Sequence, residues 1–476
     1  MSQTLTPDLC VIGAGSGGLS VAAGAVQLGA SVVLLEKHKM GGDCLNYGCV
    51  PSKALIAAAK HVHTMRGANP FGVTPVSPQV DRTAVRQHVR DVIAAIEPND
   101  SVERFTGLGV NVIEAAGRFT DRETLIAGDT TIKARRFVIA TGSAPLVFPI
   151  EGIDQVPYFT NETIFDNDIR PEHLIVVGGG PIGMEMAQAH LRLGSRVTVL
   201  EGRTALGKDD PELTEIVLAK LRDEGLDIRE DTLVQRLATA SDGSIEVTVV
   251  SNGVEETISG SHLLMATGRA PNVDGLDLEK AGIDYAKTGI HVSAGLKTSN
   301  PKVYAIGDVT GGYQFTHIAG YHAGLVIRSA LFRMPVKVKP EIYPWSTFTD
   351  PELAHVGLTE AQAREQHGDK IGVLRWPYHE NDRAQAEAKT DGIVKVVVQK
   401  NGKILGASIV GAHAGDVIQM WAFAIANGQK IGAFTGYISP YPTIAEVNKR
   451  AATTHFVPKL ANPLVRRVVS FLGRFG

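Results

Sequence analysis

Twice in this sequence a short apolar run ends in G-x-G-x-x-G, passes into a helical pattern and returns as an apolar run ending in an acid. Leu9–Ile12 leads into Gly13-Ala14-Gly15-Ser16-Gly17-Gly18, a helical stretch over 19–28 and a strand over 31–35 that ends at Glu36. Residues 174–177 lead into Gly178-Gly179-Gly180-Pro181-Ile182-Gly183, a helix to Leu193 and a strand over 196–200 that ends at Glu201. In such a βαβ unit the first glycine makes the tight turn and the second lets the backbone approach a pyrophosphate. The third lets helix and strand pack closely. Gly13, Gly15 and Gly18 take these positions in the first unit, and Gly178, Gly180 and Gly183 in the second. Each helix presents unpaired N–H groups to a phosphate, and Glu36 or Glu201 is placed to accept from a ribose. A lone glycine motif is weak evidence. Two complete units imply two dinucleotides, one held tightly and one exchanging.

Further apolar strands fit the same scheme. "RFVIATG" over 136–142 and "HLLMATG" over 262–268 read as the closing strands of the two units, each entering a small-residue turn at Thr141-Gly142 or Gly268. "KVYAIGD" over 302–308 delivers Gly307 and Asp308 into a loop. At 476 residues the chain is too long for one core and implies about three domains. The net charge of -3 speaks against a nucleic-acid partner. Three cysteines exclude a disulfide scaffold and suit a reducing compartment. The expected class is α/β, and the expected location is the cytoplasm.

"GGDCLNYGCVPSKAL" over 41–55 sets Cys44 and Cys49 five apart at the start of a helix. They can approach if the first turn is distorted, and a helix N-terminus favours a thiolate. Cys10, in the first strand, reads as a small buried hydrophobe, which leaves no set of thiols for zinc.

Together these motifs resemble the flavin-dependent disulfide reductases, the group of dihydrolipoamide dehydrogenase, glutathione reductase and mercuric reductase. The resemblance runs from Asp8 to about Phe456 and includes "PWSTFTDPELAHVGLTEAQA" over 344–363, which is similar to the opening of that family's dimerisation domain. It implies two Rossmann-like domains and an α+β interface domain: FAD-binding over 1–148 and 273–345, nicotinamide-binding over 149–272, and the interface domain over 346–476. In the last, "IVKVVVQ" and "KILGASIVG" read as antiparallel strands, followed by a helix over 415–427. The implied relay runs from nicotinamide to FAD, to a Cys44–Cys49 disulfide, and on to a small or protein disulfide. Cys49 would lie beside the flavin as the charge-transfer thiolate, and Cys44 would attack the substrate. Lys53 and Glu185 match the pair near the flavin, Asp308 its ribityl ligand, and His317 a neighbour. Lys37, Gly42 and Gly117 complete the expected cofactor contacts. An obligate homodimer follows from the same resemblance.

Three departures qualify this expectation. Thiol–disulfide members end in a His-Pro-Thr-x-x-Glu pattern that serves the partner subunit, with the histidine as base. Here "SPYPTIAE" over 439–446 keeps Glu446 but places Tyr441 at the histidine position. A phenol of pKa about 10 accepts protons poorly where imidazole, at about 6.5, does well, and such help is typically worth about 10²–10⁴-fold. Efficient dihydrolipoamide oxidation is therefore not expected. Mercuric reductases carry tyrosines at this position and at one resembling Tyr158 in "VPYFTNE", so the alternatives are a mercuric or other thiophilic-metal reductase, or a dihydrolipoamide dehydrogenase-like enzyme. No cysteine follows Cys49, so the C-terminal cysteine pair of mercuric reductases is not expected, nor is their N-terminal metal-binding domain. Second, Glu201 followed by Gly202 suits a free ribose and favours NADH over NADPH, with Arg203 and Lys208 as nearby cations. Third, no acid occurs over 447–476, while Lys449, Arg450, Lys459, Arg466, Arg467 and Arg474 are basic. At helical spacing Leu464, Val465, Val468, Val469, Phe471, Leu472 and Phe475 share one face. The tail is expected either to pack on its own dimer or to touch a membrane surface.

Overall fold

The computed structural model describes residues 3–67, 69–460 and 462–475. Leu9–Ile12 and Val32–Leu35 are buried along their whole length, as continuous apolar runs are when both faces of a parallel sheet are covered. They pair in parallel from Leu9↔Val32 to Ile12↔Leu35. Arg136–Ile139 pairs with the other side of Leu9–Ile12. Val303–Ala305 and Asn111–Ile113 complete a five-stranded sheet. Chain order thus reverses beside Leu9–Ile12, and the crevice at the C-terminal end of that strand is where such sheets bind ligands. The glycine turn sits there, with Gly13 N–H donating to Leu35 O at 2.8 Å and Ala140 N–H to Ile12 O at 2.8 Å.

The second unit repeats the arrangement. His173–Val177 lies between Arg196–Leu200 and His262–Met265, with Asp227–Arg229 at the edge. Gly178 N–H donates to Leu200 O at 2.9 Å and Ala266 N–H to Val177 O at 2.8 Å. The helices run over Ser16–Gln27 and Pro181–Arg192. The first begins before the expected Leu19, because the glycine turn itself supplies the opening residues of the helix.

Five antiparallel strands form the third sheet, in the order Pro344–Thr347, Glu352–Gly357, Ile404–Gly411, Ile393–Gln399 and Ile371–Pro377. The single helix expected over 415–427 is two, Ala414–Val417 and Gln419–Ala426. Ile418 between them keeps helical dihedrals (φ −64°, ψ −22°), so the apolar period reads through the break. Buried Lys395 crosses from this sheet to the second unit, with its ammonium 2.9 Å from Asp210, 2.8 Å from Glu212 and 2.8 Å from Glu360. That cluster fixes the third sheet against the helix Pro211–Asp223. No helix among the described residues is long and apolar enough to cross a membrane.

Candidate functional site: a dithiol at a nucleotide cleft

Cys44 and Cys49 stand in different helices. Cys44 lies in Gly42–Asn46 and Cys49 opens Cys49–Arg66, so a full break replaces the single distorted turn expected from the sequence. Gly48 makes the return possible. A Cβ there would lie 2.9 Å from Asp43 Oδ2 and 3.3 Å from Cys44 Cα, so both neighbours would have to give way. The two thiols come within hydrogen-bonding reach of each other.

One proton serves both sulfurs. The hydrogen bond from Cys44 pulls the Cys49 thiol down to about 6, and the Thr316 hydroxyl and the Lys53 charge act in the same direction. Cys44 is pushed up by the same bond and by burial. Near neutral pH the pair is therefore a Cys49 thiolate and a Cys44 thiol. Thr316 Oγ1 lies 3.6 Å from Cys49 Sγ, at the first turn of the helix Thr316–Phe332. The sequence reading did not single out Thr316.

Lys53 follows Cys49 by one helical turn, and its ammonium meets Glu185 Oε2 at 2.6 Å. The other carboxylate oxygen of buried Glu185 accepts the Phe348 N–H at 2.9 Å. The Phe348 ring lies 4.4 Å from the ammonium.

A cavity of about 940 Å³ surrounds the dithiol. Gly13, Gly15, Glu36, Lys37, Gly42, Gly117, Thr141, Gly142, Gly307, Asp308 and His317 line it together with Cys44, Cys49, Lys53 and Glu185. Gly18 lies behind the turn, where a Cβ would stand 1.8 Å from Gly13 O. Gly13 has φ +103°, and a Cβ there would meet Ala140 O at 2.5 Å. Glu36 braces the turn by accepting from Ala14 N–H at 2.7 Å and His38 N–H at 2.8 Å. His317 holds Pro344 O at 2.7 Å.

Asp308 accepts from the Ser143 hydroxyl at 2.6 Å, and burial pushes its carboxyl up. Arg269 donates to the same hydroxyl at 2.7 Å and reaches Asp43 at 3.1 Å and Asn161 at 3.3 Å. One network therefore ties the dithiol loop to Asp308. Ser143 and Arg269 directly follow the two Ala-Thr-Gly turns, and that shared position was the signal available in the sequence. A bare glycine cradle, a buried carboxylate and a facing dithiol fit FAD.

The second glycine turn is built alike. A Cβ at Gly178 would meet Ala266 O at 2.3 Å and one at Gly183 would meet Gly178 O at 1.9 Å, while at Gly180 it would meet nothing within 4 Å. The backbone at Gly180 is open to a pyrophosphate. Glu201 accepts from Gly179 N–H at 2.7 Å and Arg203 N–H at 2.9 Å. Gly268 has φ +121°.

The remaining candidates are not gathered into this cavity. Tyr158 is partly exposed and does not line it. Tyr441 is 68% exposed, and its hydroxyl donates to Asp382 at 2.8 Å. Glu446 pairs with Arg450 at 2.8 Å. The glutamate that would orient a histidine does not hold the phenol, and Asp382, which does, escaped the sequence reading.

Two nucleotide cradles, a dithiol between them and an antiparallel domain beside them define a flavin- and nicotinamide-linked disulfide reductase. The chain belongs to the pyridine nucleotide-disulphide oxidoreductase family: residues 7–323 match that family, and 343–452 match its dimerisation domain. It is 35% identical over 453 residues to a mercuric reductase of Lysinibacillus sphaericus, covering 94% of this chain and 82% of that one. A dihydrolipoyl dehydrogenase of Geobacillus stearothermophilus is 34% identical, with 94% and 95% covered. Among solved structures it resembles the Cu(II) complex of the HOCl-induced flavoprotein disulfide reductase RclA from Escherichia coli. That likeness has a TM-score of 0.83 at 28% identity, covering 94% and 99%. The protein is an FAD-dependent NAD(P)H:disulfide oxidoreductase and, through its dimerisation domain, a homodimer.

Proposed function

We propose that this enzyme uses NADH to reduce a small or protein disulfide through Cys44 and Cys49, in a reducing cytoplasm. The observation that carries the reading is the Cys44–Cys49 dithiol, with the Thr316 hydroxyl 3.6 Å from Cys49 Sγ, beside the Lys53–Glu185 pair. Held by the first glycine cradle and Asp308, FAD would supply the two-electron transfer from nicotinamide to sulfur. The two electrons open the Cys44–Cys49 disulfide, leaving Cys49 as thiolate and a proton on Cys44. Once deprotonated, Cys44 attacks one sulfur of the acceptor, forming a mixed disulfide and expelling the first thiol. Cys49 then attacks Cys44, expelling the second and restoring the pair. NADH, a proton and one disulfide thus give NAD⁺ and two thiols. These tasks are assigned to 1–148 with 273–345 for the flavin, 149–272 for the nicotinamide and 346–476 for the interface.

Glu201 supports NADH, since its carboxylate closes the ribose end of the second cradle and repels a 2′-phosphate, while Arg203 and Lys208 lie exposed outside it.

A second reading follows from Tyr441 and Tyr158. With a phenol in place of the family's base, Cys44 lacks a good proton acceptor, and a phenol bonded to Asp382 has its own pKa raised. A thiophilic ion such as Hg(II) displaces thiol protons itself and needs no base. Two electrons from NADH would convert Hg(II) to Hg(0) with release of a proton.

Purified holoenzyme with NADH or NADPH, offered lipoamide, glutathione disulfide and Hg(II), decides among these. NADH should give the higher kcat/KM, and disulfide turnover should rise about 10²-fold or more in Tyr441→His. Turnover of Hg(II) alone would select the second reading. A preference for NADPH would contradict the role given to Glu201.

A further inference from the structure

The family match ends at residue 452, and the segment after it exposes a dense run of large apolar side chains. Lys449 anchors the preceding helix by donating to Tyr437 O at 2.7 Å, and buried Val447, Ala451 and Ala452 hold it to the core. Further along, Pro463–Leu472 forms a separate helix, capped by Asn462 Oδ1 accepting from Leu464 N–H at 2.9 Å. None of its residues is buried. Leu464, Val468, Leu472 and Phe475 lie along the middle of one face, exposed by 67%, 48%, 58% and 73%. Arg466, Arg467 and Arg474 occupy the other face, and the sequence holds no acid after Glu446.

We propose that Pro463–Leu472, continued to Phe475, is an interfacial helix that docks the enzyme on an anionic lipid surface. Charge selects this occupant. A protein surface covering the apolar stripe would leave three arginines in water with no acid of their own segment to pair. At a bilayer the stripe enters the headgroup–acyl boundary while the arginines extend to anionic headgroups, so both faces are used. One short helix gives weak, reversible attachment. A homodimer carries two, and where both reach one surface the second contact is intramolecular.

Purified holoenzyme and sucrose-loaded vesicles provide the test, comparing phosphatidylcholine alone with phosphatidylcholine mixed with phosphatidylglycerol. Wild type should sediment with the anionic vesicles only, less so at high salt. Replacing Arg466, Arg467 and Arg474 together by glutamine should weaken partitioning about a hundredfold. Val468→Asp should abolish it while leaving flavin content and the dimer intact. No sedimentation of wild type with anionic vesicles, or equal sedimentation with both kinds, would overturn the proposal. So would a shift of Val468→Asp to monomer in light scattering, which would show that this face packs within the dimer.

Discussion

At Cys49 the decisive quantity is a proton. The sulfur is useful as an electron donor and acceptor only as a thiolate, and three neighbours favour that form: Cys44, Thr316 and Lys53. Thr316 is the simplest of these to isolate, because valine keeps its shape without the hydroxyl. A hydrogen bond to a charged group is worth about 1.5 kcal/mol, which is about one pKa unit. In the reduced enzyme, alkylation of Cys49 by iodoacetamide should speed up as pH rises through about 6 and level off above it. Thr316→Val should move that inflection up by about one unit, and Thr316→Ser should restore it. An unmoved inflection, followed by mass spectrometry of the Cys49 peptide, would remove Thr316 from the account. Nothing local in the sequence marks this residue, since it stands 267 positions from Cys49 and meets it only through the fold. The same holds for Asp382, which lies 59 positions from Tyr441. By contrast Lys53, one turn from Cys49, was expected from the family resemblance alone.

Elements built from local rules were readable before the structure. Both glycine turns, their strands and their acids follow from backbone geometry within about twenty residues, and both form as expected. The antiparallel pair Ile393–Gln399 and Ile404–Gly411 followed from its β-branched runs. What pattern could not show is which charged residues become buried between elements. Lys395 sits in an apolar strand as a single break in the period, and only the assembled fold surrounds it with Asp210, Glu212 and Glu360. Removing one partner of a buried ionic cluster typically costs about 3–5 kcal/mol. Lys395→Met should lower the melting temperature clearly, since Asp210, equally buried, loses its cation. Adding Asp210→Asn should recover part of the loss, because it withdraws the stranded charge. Equal melting of wild type and Lys395→Met in calorimetry would mean that apolar packing alone joins the two domains.

For the whole molecule the claim is a circuit: nicotinamide in the second cradle, flavin in the first, and a dithiol at their junction whose two sulfurs have unequal tasks. Arg269, Ser143, Asp43 and Asn161 bind the dithiol loop to Asp308, so one polar network joins the sulfur pair to the first glycine cradle. The antiparallel domain supplies the dimer and holds Tyr441 outside its own chain's cavity. The absorbance spectrum of the purified enzyme and its two serine variants tests this circuit most directly. Wild type should be yellow and develop a long-wavelength thiolate-to-flavin band on two-electron reduction. Cys49→Ser should never show the band, and Cys44→Ser should show it before any reductant is added. A band that survives in Cys49→Ser, or two variants that behave alike, would contradict the assignment of the two sulfurs.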